Sequence, residues 1–310
     1  MNILMTDGLF KALSFSIMLS TNTGCNARCK SCISRITPSV KSIDIKLCSI
    51  PRVELGLRTA KHHRATHAIL TGKADPTQED DGYLLELTKL SRKYLLYVDM
   101  HTNGFLLQKG KKKEGLLKDL TKAGLTHITF SIASFSAQEN LNFMGIKQNP
   151  KELIQKAHEL ELYTRCSLLL TSSTVYNAQG IMDYIYKAGA NGADAVVIRE
   201  LWIPDSYNQK STEIFEWNKK NFVDMNPLIA EFEAISENKD NEYGIRRLRD
   251  LPWGVPVFSM RNIFSDAEHG VNVTFARCDD SVNDVIIKSI VHKPNGHGYR
   301  NWDDNGDSLY

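Results

Sequence analysis

The chain has 310 residues, of which 42% are apolar, and its 38 Lys and Arg residues nearly balance its 36 Asp and Glu residues. This composition allows a buried core, so it excludes an intrinsically disordered chain. The formal net charge of +2 supplies no strong field for nucleic acid or for an anionic membrane. Since no apolar stretch approaches the roughly 18–20 residues of a spanning helix and no secretory leader is recognisable, we expect a cytoplasmic protein without a membrane partner.

Short apolar runs alternate with longer amphipathic stretches up to about residue 204. The predicted strands are Leu13–Ser20, Ala65–Thr71, Leu95–Thr102, His127–Ala133, Tyr163–Thr171 and Ala195–Leu201. The predicted helices between them lie around Pro51–His62, Gly82–Arg92, Glu114–Lys122, Pro150–Leu160 and Ala178–Ala188. This alternation of strands and helices predicts an α/β fold with a parallel sheet covered by helices, in a barrel that is closed or nearly closed.

The rhythm changes after Pro204. Residues 206–244 are polar and predicted to be helical, and two strand-like runs, Val271–Ala276 and Val285–Val291, follow before a polar tail. We therefore expect a core of residues 1–205 and an extension of residues 206–310 that caps the barrel and contributes to the substrate site.

The alternation within the strands predicts which side chains line the interior. Successive strand residues point to opposite faces, and the apolar set should face the helices. Four strands then turn polar side chains inward, where a barrel of this type normally holds Val, Ile and Leu. These inward residues are Ser14, Ser16, Ser20, Tyr97, Asp99, His101, Asn103, Thr129, Ser131, Arg165 and Ser167. A polar interior indicates a cavity that binds a ligand.

Cys25, Cys29 and Cys32 lie close together in the loop that follows the first predicted strand. In a βα barrel this loop lies at the edge where catalysis takes place. Soft thiolates select an iron–sulfur cluster or zinc, and this spacing lets the thiolates converge on one centre. The other cysteines, which are isolated in the sequence, are Cys48, Cys166 and Cys278. With Cys48 as an additional ligand, the loop is also compatible with a closed zinc site or a four-cysteine electron-transfer cluster.

The spacing C-x-x-x-C-x-x-C directly after the first strand of a series of βα repeats resembles the hallmark of the radical S-adenosylmethionine (SAM) superfamily. The resemblance covers approximately residues 13–204. It implies a partial (β/α)6 TIM-like barrel and one 4Fe–4S cluster held by these cysteines, with SAM bound at the iron that no cysteine ligates. It also implies a one-electron donor such as flavodoxin or ferredoxin.

After the second strand, members of the family often have Gly-Gly-Glu-Pro, whose backbone contacts the amino group of SAM. Gly72, Asp75 and Pro76 resemble this motif, although an additional residue separates the glycine from the acid. Asp75 before Pro76 is equally typical of an ordinary turn. At the end of the third strand, Asn103 resembles the Asn of the family's Thr-Asn-Gly, which is also plain turn chemistry.

Further residues resemble family positions on the fourth to sixth strands. Ser131, Arg165 and Ser167 match positions where relatives hold the ribose and the carboxylate of SAM, and the donor fork of Arg suits a carboxylate. Arg199 lies where relatives contact adenine or substrate. The resemblance therefore implies that these side chains bind the cofactor.

The resemblance implies an enzyme in which a reduced 4Fe–4S cluster cleaves SAM to a 5′-deoxyadenosyl radical, which abstracts a hydrogen atom from a peptide, a nucleotide or a small molecule. Cys278 is the only cysteine in the extension, too few for a conventional auxiliary cluster. It is a candidate hydrogen donor, as in radical epimerases, or else a small buried side chain. The alternatives are a cyclisation or rearrangement without a protein hydrogen donor, and a non-enzymatic iron–sulfur or zinc module.

A run of like charge is formed by Lys109, Lys111, Lys112 and Lys113. We expect a solvated loop there, and a docking patch for the electron donor is the alternative. The balance of charge over the whole chain does not support a nucleic-acid partner.

Overall fold

A computed structural model describes residues 10–19, 24–36, 48–205, 207, 209–252, 254–261, 270–277, 286–300, 302 and 308–310. The strands are β1 (Lys11–Leu19), β2 (His67–Gly72), β3 (Tyr97–Thr102), β4 (His127–Ser131), β5 (Tyr163–Leu169), β6 (Ala195–Arg199), β7 (Arg246–Asp250), β8 (Pro256–Met260), β9 (Val271–Ala276), β10 (Ile286–His292) and β11 (Gly298–Tyr299). They form one sheet in the order β11-β10-β1-β2-β3-β4-β5-β6-β9-β8-β7.

Strands β10, β1 to β6 and β9 form a continuous parallel array. All six strands predicted for the core are present, with bounds that differ from the predicted ones by a few residues. Of the closed and nearly closed forms expected, the closed one is wrong, because among the described strands the sheet ends at β11 and at β7. Strand β11 pairs with β10 on one side and β8 pairs with β9 on the other, both antiparallel, so β9 and β10 do not pair with each other. The fold is a partial TIM-like barrel.

The helices are α1 (Ile33–Ile36), α2 (Ile50–His62), α3 (Asp81–Tyr94), α4 (Leu116–Ala123), α5 (Ala137–Met144), α6 (Pro150–Glu159), α7 (Ala178–Ala190), α8 (Thr212–Asn221) and α9 (Asn226–Glu237). Several begin at a side chain that accepts the backbone N–H three residues later, as Asp80, Ser136, Asn149 and Asn177 do. Such caps satisfy N–H groups that have no partner within the helix. Within the described residues no helix combines the length and the apolar composition needed to cross a membrane.

The hydrophobic core lies between the sheet and the helices, as the alternation within the strands predicts. On β5, Thr164, Cys166 and Leu168 are buried against the helices, whereas the alternating set that includes Arg165 and Ser167 is only half-buried. The polar set therefore lies on the face opposite the helices, toward the interior of the curved sheet, and is partly accessible.

Residues after 205 add strands at both ends of the sheet. The predicted helical region contains α8 and α9, and the two predicted strand-like runs are present as β9 and β10, which lie at opposite ends of the parallel array. Strand β9 pairs with β6 and β10 pairs with β1, so the parallel array gains one strand at each end. The division of the chain into a core and a capping extension stays a prediction.

Candidate active site

The cysteine loop, residues 24–32, lies beyond the C-terminal end of β1 and rests on the end of α5. The backbone N–H groups of Arg28 and Lys30 donate to the carbonyls of Met144 and Phe143, at 2.7 and 3.1 Å. Gly145 ends α5 with a φ of 71°, and a Cβ there would lie 3.3 Å from the Cβ of Arg28. Bonds to helix carbonyls that lack partners within α5 thus fix the loop in place.

The thiols of this loop lie near enough to influence one another. Burial first, and then the neighbouring Cys32 and Cys25, raise the pKa of Cys29 to about 12. Burial also raises the pKa values of Cys25 and Cys32. The loop therefore favours neutral thiols until a cation is present, because burial outweighs the backbone N–H groups and the charge of Arg35, which lower the pKa of Cys32.

The donors around the thiols fit a cluster bound through thiolates. The N–H of Ala27 lies 3.4 Å from Sγ of Cys25, and backbone N–H groups also lower the pKa of Cys32 against the effect of burial. The buried Nδ2 of Asn26 has no acceptor among the described residues. A buried donor without a partner is costly, and a cluster or the carboxylate of SAM would supply the acceptor. Iron would supply positive charge directly at the sulfur atoms and so stabilise the thiolates.

The remaining cysteines lie apart from this centre. Cys48 is buried, its thiol donates to the carbonyl of Met18 at 3.4 Å, and burial raises its pKa to about 12. Cys166 is a fully buried residue of β5. In the described part of the chain, which includes the three loop cysteines, no three His, Cys, Asp or Glu side chains lie close enough together to hold a single metal ion. Cys278 lies outside the described residues.

Asp75, in the turn after β2, is buried and fully hydrogen-bonded. Its two oxygens accept the backbone N–H groups of Thr77 and Asn103, at 3.0 and 2.6 Å, and both contact the hydroxyl of Thr102, at 2.8 and 2.9 Å. Pro76 follows as the first residue of a short 3-10 helix. The carboxylate joins the ends of β2 and β3, as the ordinary turn interpretation requires, and its contact with SAM stays a prediction.

Gly72 is the last residue of β2 and pairs with Leu19 at the end of β1. A Cβ at this position would lie 2.1 Å from the carbonyl oxygen of Leu19. The close approach of the two strands beside the cysteine loop therefore requires glycine here.

Asn103, at the end of β3, connects this strand to the cysteine loop. Its Nδ2 donates to Oδ1 of Asn26 at 2.8 Å, and its own Oδ1 accepts the N–H of Phe105 at 3.0 Å. The predicted turn role of Asn103 is therefore present, together with a direct link to the residue that follows Cys25. Asn26 was not predicted, although its position within the cysteine motif is a signal that points to it.

Gln148 ties the ends of β3 and β4 together and was not predicted either. It is fully buried, and its Nε2 donates to the carbonyls of Asn103 and Ser131, at 2.5 and 2.9 Å. It lies 45 residues from Asn103 in the sequence, in the connection between α5 and α6. No local pattern marks such a residue, because both its partners are backbone groups of distant strands.

Inside the barrel, Asp99 gathers residues from three neighbouring strands. Its Oδ2 lies 3.2 Å from Nε2 of His101 and 3.4 Å from Nη1 of Arg165, and both its oxygens lie 3.2 Å from the hydroxyl of Thr129. Burial by itself would raise the pKa of Asp99, but His101, Arg165 and His127 hold it below its ordinary value. The predicted inward direction of these residues is confirmed, and their pairing was not predicted.

A second polar pair lies nearer to the C-terminal ends of the strands. Nε of Arg199, the last residue of β6, donates to Oγ of Ser167 at 3.0 Å. Ser131, the last residue of β4, is exposed. The structure thus brings Ser131, Ser167 and Arg199 to the edge of the sheet where the cysteine loop lies.

Aromatic side chains form the opposite end of the interior. Tyr97 contacts His67 and His127 with ring centroids 4.7 and 5.1 Å apart, and His127 contacts Tyr163 at 5.0 Å. All of them lie at the first position of their strands. Burial lowers the pKa of His67, and it lowers that of His127 to about 4. These rings form an uncharged floor beneath Asp99.

Two lysines of the run at residues 109–113 contact other side chains, and the other two are exposed to solvent. The amine of Lys113 lies 2.6 Å from a carboxylate oxygen of Asp81. The amine of Lys111 lies over the ring of Phe105, 4.5 Å from its centroid, and Phe105 packs with Cys29 against the same apolar cluster. Lys109 and Lys112 are exposed, as expected for a solvated loop.

The profile of the radical SAM superfamily matches residues 19–175, which is just over half of the 310-residue chain. The chain belongs to this superfamily. Membership implies a 4Fe–4S cluster and SAM as cofactors. A search of curated proteins finds no match to this radical SAM chain.

Three solved structures align with this radical SAM protein at TM-scores below 0.5. One, native anSMEcpe with bound AdoMet, aligns at a TM-score of 0.46 and 16% identity over 74% of this chain. Methylornithine synthase (PylB) aligns at a TM-score of 0.49 and 13% identity over 75% of this chain. HydG, a maturase of the [FeFe]-hydrogenase, aligns at a TM-score of 0.44 and 10% identity over 69% of this chain. The chain spans 63% of the length of each of the first two and 51% of the third.

Proposed function

We propose that Cys25, Cys29 and Cys32 hold the cluster and that the enzyme abstracts a hydrogen atom from a substrate bound in the polar interior of the barrel. The observation that carries the proposal is the position of these three thiols in one loop, which backbone hydrogen bonds to the end of α5 fix beyond the C-terminal end of β1. When bound and reduced, the cluster and SAM supply a 5′-deoxyadenosyl radical.

The edge nearest to the cysteine loop is our proposed SAM site. The backbone at Gly72 would meet the amino group, because the strands approach each other there without an intervening side chain. The hydroxyl of Ser131 would meet the ribose, and the guanidinium of Arg199, oriented by Ser167, would hold the carboxylate. Asn103 positions the loop through Asn26. Asp75 and Pro76 act on the cofactor through the turn that they form.

The interior below this edge is our proposed substrate site, and residues 206–310 are proposed to complete it. Strands β9 and β10 extend the wall on both sides, which reduces access of water to the reacting atoms. The substrate is a small molecule, a peptide or a nucleotide. If Cys278 returns a hydrogen atom to the substrate radical, the reaction is an epimerisation; without such a donor, it is a cyclisation or a rearrangement.

The electron donor is proposed to be flavodoxin or ferredoxin, which would approach the exposed side of the cysteine loop. Lys109 and Lys112 lie on the exposed loop that follows Phe105, and Phe105 packs against the same apolar cluster as Cys29. An acidic donor suits these lysines, because complementary charge speeds the encounter of the two proteins.

Anaerobic reconstitution with iron and sulfide, followed by metal analysis, tests the cluster ligands. We expect wild type to bind about one 4Fe–4S cluster. Cys25→Ala, Cys29→Ala and Cys32→Ala should each lose most of the iron, because each removes one of the proposed thiolate ligands. Cys48→Ala is the matched control and should keep a full load of iron, because the thiol of Cys48 is hydrogen-bonded to the carbonyl of Met18. A full load in the variant without all of Cys25, Cys29 and Cys32 would overturn the assignment.

A further inference from the structure

We infer that the side-chain amide of Asn26 donates a hydrogen bond to a sulfur atom of the cluster beside Cys25 and thereby raises the reduction potential of the cluster. The inference rests on the proposed function, because it takes Cys25, Cys29 and Cys32 as the ligands of the cluster. It gives Asn26 a role in electron transfer, beyond its contact with Asn103.

The orientation of the Asn26 amide is fixed by a backbone group. The N–H of Phe105 can only donate, so the atom of the Asn103 side chain that it meets at 3.0 Å is Oδ1. The other end of that amide is therefore Nδ2, which donates to Oδ1 of Asn26 at 2.8 Å. A flip of either amide would bring two donors together, so Nδ2 is the atom of Asn26 that does not face Asn103.

Asn103 is itself held firmly, which gives the amide of Asn26 a defined direction. The backbone N–H of Asn103 donates to Oδ2 of Asp75 at 2.6 Å, and its carbonyl accepts Nε2 of Gln148 at 2.5 Å. Asn103, Asp75 and Gln148 are all buried. A buried, hydrogen-bonded network is a rigid support, so Nδ2 of Asn26 stays where the loop places it.

The Nδ2 group of Asn26 is buried, and within the described part of the chain it has no acceptor. Buried donors in folded proteins nearly always have a partner, so a buried donor that lacks one calls for a bound group that supplies the acceptor. Reversal of the side chain would not satisfy it, because Oδ1 of the same amide already accepts the bond from Asn103.

The neighbouring sulfur identifies the acceptor. Sγ of Cys25 lies 3.8 Å from Oδ1 of Asn26 and 3.4 Å from the backbone nitrogen of Ala27. Nδ2 and Oδ1 are bonded to the same carbon, so Nδ2 lies within about 6.4 Å of this sulfur. Once Cys25 ligates iron, its own sulfur and the sulfides bonded to that iron are the acceptors next to Nδ2. SAM would instead bind at the iron that no cysteine ligates.

A hydrogen bond to a cluster sulfur stabilises the reduced cluster more than the oxidised one, because reduction adds a negative charge. Such bonds are among the factors that set the reduction potential of iron–sulfur clusters. The backbone N–H of Ala27 already points at Sγ of Cys25, and the amide of Asn26 adds a side-chain donor near the same ligand. Asn26 therefore makes the cluster easier to reduce.

The test is a redox titration of the reconstituted full-length protein without SAM, followed by the electron paramagnetic resonance signal of the reduced cluster. Asn26→Leu removes the donor at similar size. It should shift the reduction equilibrium about tenfold toward the oxidised form, which is about 59 mV for one electron. Asn142→Leu is the matched control: Asn142 is exposed on α5, which supports the cysteine loop, and its Oδ1 likewise accepts a side-chain amide, that of Gln138. Its potential should equal that of wild type.

A second measurement uses the wild-type side chain itself. Protein is prepared with a nitrogen isotope label only in the side-chain amides of its asparagines, and the reduced cluster is studied by pulsed electron paramagnetic resonance. We expect a magnetic coupling between the cluster and a labelled nitrogen. Asn142→Leu should keep this coupling, and Asn26→Leu should lose it.

The inference is overturned if Asn26→Leu carries a full cluster with the wild-type potential, or if labelled wild type shows no coupling. An unchanged potential together with a tenfold loss of SAM affinity would assign Nδ2 to SAM instead. If Asn26→Leu takes up no cluster, the label on wild type decides the question. Iron content is measured on every preparation: a wild-type protein that takes up no iron contradicts the proposed function, whereas a fully loaded wild type without the coupling contradicts the inference alone.

Discussion

Asp75→Asn tests whether Asp75 is a structural anchor or a direct ligand of SAM. Oδ1 accepts the N–H of Thr77, and Oδ2 accepts the N–H of Asn103. Asparagine keeps only one carbonyl oxygen, so in either orientation of the amide one of these backbone N–H groups faces an NH2 group. A buried donor left unsatisfied costs about 1–3 kcal/mol, and the loss of the charge of the acceptor adds to this. We expect the free energy of unfolding to fall by about 2–4 kcal/mol.

Urea unfolding of wild type and of Asp75→Asn measures this difference in stability. Equilibrium binding of SAM to the same two proteins tests whether Asp75 contacts the cofactor directly. Asp80→Asn is the matched control: Asp80 is exposed and caps α3 through the N–H of Tyr83, a role that Asn performs equally well. Its stability should change by less than about 0.5 kcal/mol. Unchanged stability of Asp75→Asn together with a tenfold loss of SAM affinity would refute the anchor role and show a direct contact with the cofactor.

Two further predictions concern packing and pH. Gly72→Ala should destabilise the protein by about 1–3 kcal/mol in urea unfolding, because its Cβ would lie 2.1 Å from the carbonyl oxygen of Leu19. Gly82→Ala is the control and should not destabilise the protein, since the atom nearest to its Cβ would be 3.1 Å away. Equal stabilities of the two variants would contradict the close approach of the strands at Gly72. Burial first, and then His297 and Arg52, lower the pKa of His292 from 6.5 to about 4, so its contribution to stability is present above pH 6.5 and is lost as the pH falls toward 4. The free energy of unfolding should therefore fall by about 1.4 kcal/mol more in wild type than in His292→Gln between about pH 7.5 and pH 5.5, and parallel pH profiles would contradict this.

The sequence was sufficient for features that depend on local patterns. The strands of the core follow from apolar runs, and the inward direction of Asp99 and Arg165 follows from alternation along β3 and β5. The cysteine motif is likewise local. Its family could be recognised from eight residues and their place after β1.

Features that depend on distant pairing could not be predicted in this way. The addition of β10 to β1 brings Ser14 to a carbonyl 274 residues away, and no periodicity reports which edge a late strand joins. The bonds of Gln148 to the ends of two strands and the shared contact of Arg165 and His101 with Asp99 have the same character. Such contacts are fixed by the tertiary fold, so alternation gives the direction of a side chain without its partner.

Formation of 5′-deoxyadenosine from SAM tests the central claim most directly. Anaerobically reconstituted protein is reduced with dithionite in the presence of SAM, and the products are separated by chromatography and identified by mass. We predict slow formation of 5′-deoxyadenosine and methionine by wild type, and none by the variant in which Cys25, Cys29 and Cys32 are all replaced by Ala. Equal yields from the two proteins, or no product from a wild-type protein that carries a full cluster, would contradict the account.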